Sequence, residues 1–293
     1  MNLLNEYLEE YGPGEEDRKV SLETQALLAS SKPDYYSAGN LKKILGLLDL
    51  TTLNSDDNDA TARLYTGRLN GFNQSFPEFP GVAAICVYPT LVEEVRKTLT
   101  APGVKIAAVG AGFPSSQTFL SVKLAECELL VKKGADEIDV VISVGRFLAG
   151  EYRSVLNELV LIREACSGVT LKVILETGLL KTAQNIRLAS LIAMEAGADF
   201  IKTSTGKNAV SATPEAVYAM CRAIRDFRAH TGRSVGIKPA GGIVEVDDAV
   251  SYYFIIHQLL GDDWISPARL RIGASRLANN LLTRLKDQEI KYF

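Results

Sequence analysis

The sequence predicts an α/β fold, a single-domain (β/α)8 barrel, and three observations point to it. Eight short apolar runs recur along the chain. Helix-like stretches separate them, and the repeat covers about 250 residues, the usual size of such a barrel. The runs are also nearly continuous in apolarity, as expected of parallel strands covered on both faces.

The runs are LGLLDL (45–50), VAAICVY (82–88), KIAAVG (105–110), DEIDVVI (136–142), LKVILET (171–177), DFIKTS (199–204), SVGIKP (234–239) and LRIGAS (270–275). Between them, residues 115–133 read as a helix. Phe119, Val122, Ala125 and Leu129 fall at helical spacing on its apolar side, and Gly134 follows as a stop. Thr213-Pro214-Glu215 is a helix start: a hydroxyl cap, then proline, then a first-turn acid. Gly197 and Gly232 close two further helical runs. Ahead of the repeat, residues 1–40 are polar and uneven, with a helical pattern over 20–28. They form an N-terminal extension to a catalytic barrel of residues 41–285, with 286–293 as a C-terminal tail.

A doubly wound open sheet shows the same alternation and is the alternative. No dinucleotide fingerprint supports it. VGAGFP (109–114) lacks the third glycine and the distant acid. STGKNAV (204–210) is no phosphate P-loop either, because the upstream glycine is missing and Asn208 stands where the hydroxyl belongs.

Composition narrows the function. Of 293 residues, 47% are hydrophobic, enough for a large core, and the formal charge of -3 leaves no dominant basic face. Nucleic-acid binding through bulk charge is excluded, while a local phosphate pocket is not. Cys86, Cys127, Cys166 and Cys221 are scattered, and with two histidines they form no zinc pattern. They read as packing thiols in a reducing compartment. The start of the chain reads as neither a signal nor a transit peptide, and no stretch is apolar enough to span a membrane. The expectation is a soluble cytoplasmic protein.

Catalytic groups of a barrel sit at the C-terminal ends of its strands. There the runs offer Asp49, Asp139, Lys172, Lys202 and Lys238, with Ile174 and Glu176 on the face of Lys172. A lone strand lysine ordinarily keeps its head at the surface or against a carboxylate. Lys202, Lys238 and Asp139 resist that reading together, because each is embedded in apolar sequence and a core has no need of converging like charges. Such lysines suit one chemistry. An amine of ordinary pKa about 10.4 is a poor nucleophile at neutral pH, but burial and a neighbouring cation favour its neutral form. The neutral amine can attack a carbonyl and form a Schiff base, with a carboxylate moving protons. Chemistry alone leaves Lys202 and Lys238 interchangeable. Gly206-Lys207, Gly241-Gly242 and Gly273-Ala274-Ser275 follow the last three runs, where exposed backbone N–H groups can bind phosphate.

Six segments now carry a resemblance: LDLTTLN (48–54), ADEIDVVI (135–142), LKVILETG (171–178), GADFIKTSTGK (197–207), GIKPAGGI (236–243) and RIGAS (271–275). In this order and spacing they resemble the deoxyribose-phosphate aldolases, in the longer, eukaryote-like branch. The match runs from about residue 41 to about residue 282. The resemblance implies a (β/α)8 barrel and a metal-free class I lyase. Its reaction would be reversible cleavage of 2-deoxy-D-ribose 5-phosphate to acetaldehyde and D-glyceraldehyde 3-phosphate. It implies no cofactor beyond a covalent Schiff base on Lys202, with Lys238 as second lysine, Asp139 as acid, and Lys172 and Asp49 in support. Phosphate would fall on Gly206, Lys207, Gly241, Gly242, Gly273 and Ser275. The partners implied are a small sugar phosphate and aldehydes, with neither nucleic acid nor membrane. Homodimers are common in the family, though no surface patch for one can be read here.

Two departures stand out. Arg276 replaces a small hydroxylated residue, and Ser143 replaces an asparagine. The chain ends KYF; some members of the family place a tail tyrosine over the site, and Tyr292, beyond the matched span, is the residue here that could take that place. Two other readings stay open: a Schiff-base aldolase for a different phosphorylated sugar, and a non-catalytic barrel that binds a sugar phosphate.

Overall fold

The computed structural model describes residues 15–293. Eight parallel strands form the sheet: β1 (Leu48–Thr51), β2 (Ala84–Val87), β3 (Lys105–Gly110), β4 (Glu137–Val141), β5 (Thr170–Ile174), β6 (Phe200–Lys202), β7 (Gly236–Lys238) and β8 (Ile272–Ala274). Each pairs with its sequence neighbour, and β8 returns to β1. Parallel bridges Ile237–Leu270 and Ala240–Gly273 close the ring between β7 and β8. The open doubly wound alternative is thereby ruled out.

The strands are shorter than the apolar runs. Leu45 and Gly46 belong to the helix Ala38–Gly46, which Leu47 closes by donating its N–H to Ile44 O. β5 stops at Ile174, so Glu176 does not continue the face of Lys172. It sits in the left-handed region at φ 59 and is buried.

Alternation along each strand explains why apolar runs carry charge. In β4, Ile138 and Val140 join the large core shared with the helices, while Glu137 and Asp139 face the barrel interior. The interior is divided. Ala84, Cys86, Ala107 and Val109, from β2 and β3, form a small apolar cluster with Leu53. The remaining strands supply charge to the other half. Gly236 leaves room for the Phe200 ring, since a Cβ there would lie 2.4 Å from its Cε1.

The strand feet use one device twice. Gly134-Ala135-Asp136 and Gly197-Ala198-Asp199 each follow a helix, with the glycines at φ +93 and +97. Asp136 accepts Ile106 N–H and pairs with Arg96, and Asp199 accepts Leu171 N–H and pairs with Arg163. A cavity of about 1000 Å³ opens at this end, lined by Asp136, Arg163 and Asp199 of these pairs and by Glu137.

One helix differs from expectation. It runs Leu120–Lys133, preceded by a turn, and its face is inverted. Phe119, Val122, Ala125 and Leu129 are exposed, while Lys123, Cys127 and Leu130 are buried. Lys123 can enter because its ammonium donates to Ser116 Oγ, Ser143 Oγ and Glu158 Oε1, at 2.7, 3.1 and 2.9 Å. Ser143 in turn donates to Glu158 Oε1.

The N-terminal helical pattern lies within a longer helix, Glu15–Ser31. It packs against the helices Ala183–Glu195, Pro214–Thr231 and Val246–Leu260. Asp17 Oδ1 accepts the N–H of Ala183, and Tyr218 donates to Glu23. The start of the expected extension, with Gly12, Pro13 and Gly14, lies outside the described residues. Thr213 caps the helix Pro214–Thr231 through its Oγ1, as its sequence predicts. All four cysteines are free and buried. Among the described residues, no helix is long and apolar enough to cross a membrane.

Candidate active site

Register brings the charged strand residues together. Asp139 pairs with Lys172 across β4 and β5, and Lys202 with Lys238 across β6 and β7. Asp139 then serves as the hub. Its Oδ1 accepts from Lys172 Nζ at 2.9 Å, and its Oδ2 accepts from both Lys202 and Lys238 at 2.8 Å. Lys238 also reaches Asp49 Oδ2 at 2.5 Å. All five expected side chains meet in one buried cluster.

Two members went unread in the sequence, Glu137 and Arg271. Glu137 lies 2.5 Å from Lys172 Nζ. Arg271 Nη1 donates to Asp49 at 2.7 Å, and its Nη2 donates to Glu137 at 2.6 Å. The period-two rule could have found them. Glu137 shares a face with Asp139, and Arg271 sits two residues before Gly273.

Charge counting separates the lysines. Among the described residues, the cluster holds three carboxylates, Asp49, Glu137 and Asp139, and four basic groups, Lys172, Lys202, Lys238 and Arg271. One base is therefore in excess. Burial works against the charge on every amine here. For Lys202 burial wins, helped by Lys238, against the single carboxylate Asp139, and its amine is held below the ordinary lysine value. For Lys238 burial is outweighed by Asp139 and Asp49, so its ammonium is stabilised. Lys172 is likewise raised, against burial, by Asp139 and Glu137. Asp139 stays ionised far below the carboxylate range, despite burial, because Lys172, Lys202 and Lys238 surround it. Burial raises the Cys86 thiol.

Above the cluster lies a cavity of about 340 Å³. Lys202 lines it, whereas Lys238, Lys172, Asp139 and Asp49 lie beneath and do not. Gly206, Lys207, Gly241, Gly242, Gly273 and Ser275 all line it too. Gly241 is required twice over. Its φ is +86, and a Cβ would lie 2.7 Å from Ser211 Oγ. At Gly273 a Cβ would lie 3.1 Å from Lys238 Cε, so the lysine passes where a side chain would stand. The helix Leu277–Lys286 starts at the cavity rim with no side-chain cap, leaving first-turn N–H groups unpaired by one.

Loop contacts hold the rim. Thr203 Oγ1 donates to Ala240 O and accepts Ala240 N–H, both at 2.9 Å. Glu176 accepts from Thr205 Oγ1 at 2.6 Å and from Thr205 N–H. Lys207 N–H donates to the same Thr205 oxygen. Arg276 is exposed on the rim. Tyr292 packs on Phe72 and Phe76 with its hydroxyl on Arg68 O, and Phe293 lines the cavity instead.

Family comparison decides the lineage: the DeoC/LacD family aldolase pattern matches residues 44–255. The chain belongs to that family. Human deoxyribose-phosphate aldolase is 42% identical over 256 residues, covering 84% of this chain and 80% of the human protein. The mouse enzyme is 41% identical over 262 residues, covering 86% and 82%. Among solved structures, the tetrameric deoxyribose phosphate aldolase of Aeropyrum pernix aligns over 92% of this chain and 98% of its own, with a TM-score of 0.66 and 24% identity. An aldolase named QR15 aligns with a TM-score of 0.68 and 28% identity, over 83% of this chain and 96% of its own. The family's barrel fold is the one seen here.

Proposed function

We propose that this protein is a deoxyribose-phosphate aldolase, a lyase that cleaves 2-deoxy-D-ribose 5-phosphate reversibly through a Schiff base on Lys202. One observation carries the assignment of the nucleophile. Lys202 is the one base of the cluster that lines the cavity, and it is also the amine held below its ordinary range. An amine whose charged form is disfavoured, placed at the floor of a pocket, is what carbonyl attack needs.

The reaction then runs as follows. Lys202 Nζ adds to C1 of the open-chain aldehyde, and loss of water leaves a protonated imine. The C3 hydroxyl gives up its proton, the C2–C3 bond breaks, and its electron pair moves into the imine to form an enamine. Glyceraldehyde 3-phosphate leaves. Protonation of the enamine at C2 and addition of water release acetaldehyde and restore the amine. Asp139 is the proton shuttle, with Lys238 as its partner. The cluster divides their work: Asp139 stays the carboxylate beside Lys202, and Lys238 stays an ammonium whose charge disfavours a second one on Lys202. Lys172 and Asp49 keep both in register.

Phosphate binds at the glycine rim. Gly206, Gly241, Gly242 and Gly273 bring backbone close, Lys207 adds charge, and Ser275 precedes an uncapped helix start. Binding the remote phosphate orients the small reacting end. The chemistry requires no metal or organic cofactor. Residues 41–285 are the catalytic unit in this reading, 1–40 an extension and 286–293 a tail, in a cytoplasmic enzyme able to form homodimers.

The deciding experiment traps the intermediate. Borohydride with acetaldehyde is expected to leave a reduced two-carbon adduct on Lys202, seen by peptide mass spectrometry. An adduct on Lys238 overturns the assignment. Triose release from deoxyribose 5-phosphate, abolished by Lys202→Ala, tests the substrate, and tight binding without aldehyde release would indicate a silent barrel.

A further inference from the structure

The buried charges close a ring. Asp49 Oδ1 meets Arg271 Nη1 at 2.7 Å, and Arg271 Nη2 meets Glu137 Oε1 at 2.6 Å. Glu137 Oε2 meets Lys172 Nζ at 2.5 Å, and Lys172 meets Asp139 Oδ1 at 2.9 Å. Asp139 Oδ2 meets Lys238 at 2.8 Å, and Lys238 returns to Asp49 Oδ2 at 2.5 Å. Three acids alternate with three bases. Lys202 hangs from Asp139 outside the ring.

We propose that Glu137 and Arg271 are positioning residues that complete a neutral ring, so that Lys202 remains the one amine without a matching acid. Neither touches Lys202 or lines the cavity. They act through the ring's net charge, which Lys202 feels through Asp139. The inference rests on Lys202 being the nucleophile.

Four features support it. Arg271 is 5% exposed and Glu137 3%, so the pair is buried even though Glu137 borders the cavity at the strand feet. Both Nη groups of the guanidinium are engaged, Nη1 donating to Asp49 and to Glu137 Oε2 and Nη2 to Glu137 Oε1. Breaking a buried network leaves a charge uncompensated, so the effect of a neutralised member reaches its neighbours. Among the described residues, the surroundings of Lys202 also supply no second counter-ion. Asp49 projects from β1, Cys86 from β2, Glu137 and Asp139 from β4, Lys172 from β5 and Lys238 from β7, while β3 contributes Ala107 and Val109. On the loops, Arg271 precedes β8, Glu176 is bonded to Thr205, and Lys207 and Arg276 line the cavity.

Opposite substitutions are expected to move the reaction in opposite directions. Glu137→Gln leaves the ring with one excess positive charge, which favours neutral Lys202. The acid limb of log kcat/KM against pH then moves to lower pH, by roughly one unit for a buried unit charge about 10 Å away. Arg271→Met leaves one excess negative charge and moves the limb to higher pH by a similar amount. The double variant returns it close to the parent. A merely structural role would lower activity at every pH and move neither limb. Shifts of the same sign, or no shift in Glu137→Gln, overturn the inference. Should Arg271→Met fail to fold, Glu137→Gln decides by its direction, and Arg271→Lys, which keeps the charge, is expected to keep the parent profile. Borohydride trapping on each variant separates the two ideas. An adduct away from Lys202 overturns the nucleophile, whereas an adduct on Lys202 with an unmoved limb overturns the ring alone.

Discussion

Lys238→Met removes the nearest cation to Lys202 and keeps the buried volume filled. Lys202 and Lys238 both donate to Asp139 Oδ2 at 2.8 Å, so their nitrogens are at most twice that distance, about 5.6 Å, apart. At an effective dielectric of about 20, two unit charges at that separation repel by about 3 kcal/mol. Losing this repulsion favours the charged form of Lys202 and lowers the neutral fraction roughly a hundredfold at acid and neutral pH. The sign is fixed by which form reacts. The neutral amine attacks, so the acid limb of kcat/KM moves to higher pH and activity recovers as pH rises. The assay is the retro-aldol rate on deoxyribose 5-phosphate, coupled to triose detection, over a pH series. A drop of the same size at every pH would mean that Lys238 acts as a proton donor alone. A limb displaced to lower pH would refute the electrostatic reasoning.

Three further outcomes follow from the site. Lys202 has a folded-state amine held below its unfolded value, so the folded protein carries a penalty at neutral pH that is relieved as pH rises toward about 10.4. Lys202→Met is therefore expected to abolish turnover yet raise Tm at pH 7, by about 2–4 °C per kcal/mol regained, and a lowered Tm by calorimetry would contradict this. Arg276→Ser is expected to raise KM for the phosphorylated substrate several-fold with kcat and Tm unchanged, because the exposed guanidinium lines the rim without an ion-pair partner among the described residues; equal effects on unphosphorylated deoxyribose would count against a phosphate contact. Gly241→Ala places a Cβ 2.7 Å from Ser211 Oγ at φ +86, so a cost on the order of 1–3 kcal/mol and a raised KM are expected, read by denaturant unfolding and steady-state kinetics; an unchanged KM would show that the rim tolerates the shift.

The sequence carried much of this site and misread some of its surroundings. Lys202, Lys238 and Asp139 stood out because a charge inside a β-type apolar run is conspicuous. Glu137 did not, because an acid at the edge of a run looks like a solvated strand end. Arg271 hid in the same way at the foot of β8. The Leu120–Lys133 helix failed for another reason. It has two stripes at helical spacing, and the more apolar one, with Phe119 and Val122, faces outward. Periodicity cannot choose between stripes when the buried one includes a lysine whose partners lie outside the helix, Ser116 in the turn before it and Ser143 and Glu158 20 and 35 residues along the chain. Glu176 reads as continuing the face of Lys172 because nothing local announces that β5 ends at Ile174 and the chain turns left-handed.

The sequence by itself determined the rhythm of strands and helices, the barrel that follows from it, and which residue types reach the strand ends. Those properties are local, set by alternation, capping and apolar runs. Which lysine is the odd one out was a tertiary decision. Lys202 and Lys238 each end a short apolar strand. They differ only in how many carboxylates the closed barrel brings to each: Asp139 alone for Lys202, Asp139 and Asp49 for Lys238. Asp49 lies 189 residues from Lys238 in the chain, and it meets that lysine because β8 returns to β1. Burial disfavours both charges, and the count of nearby acids, which only ring closure sets, decides which amine gives its proton up.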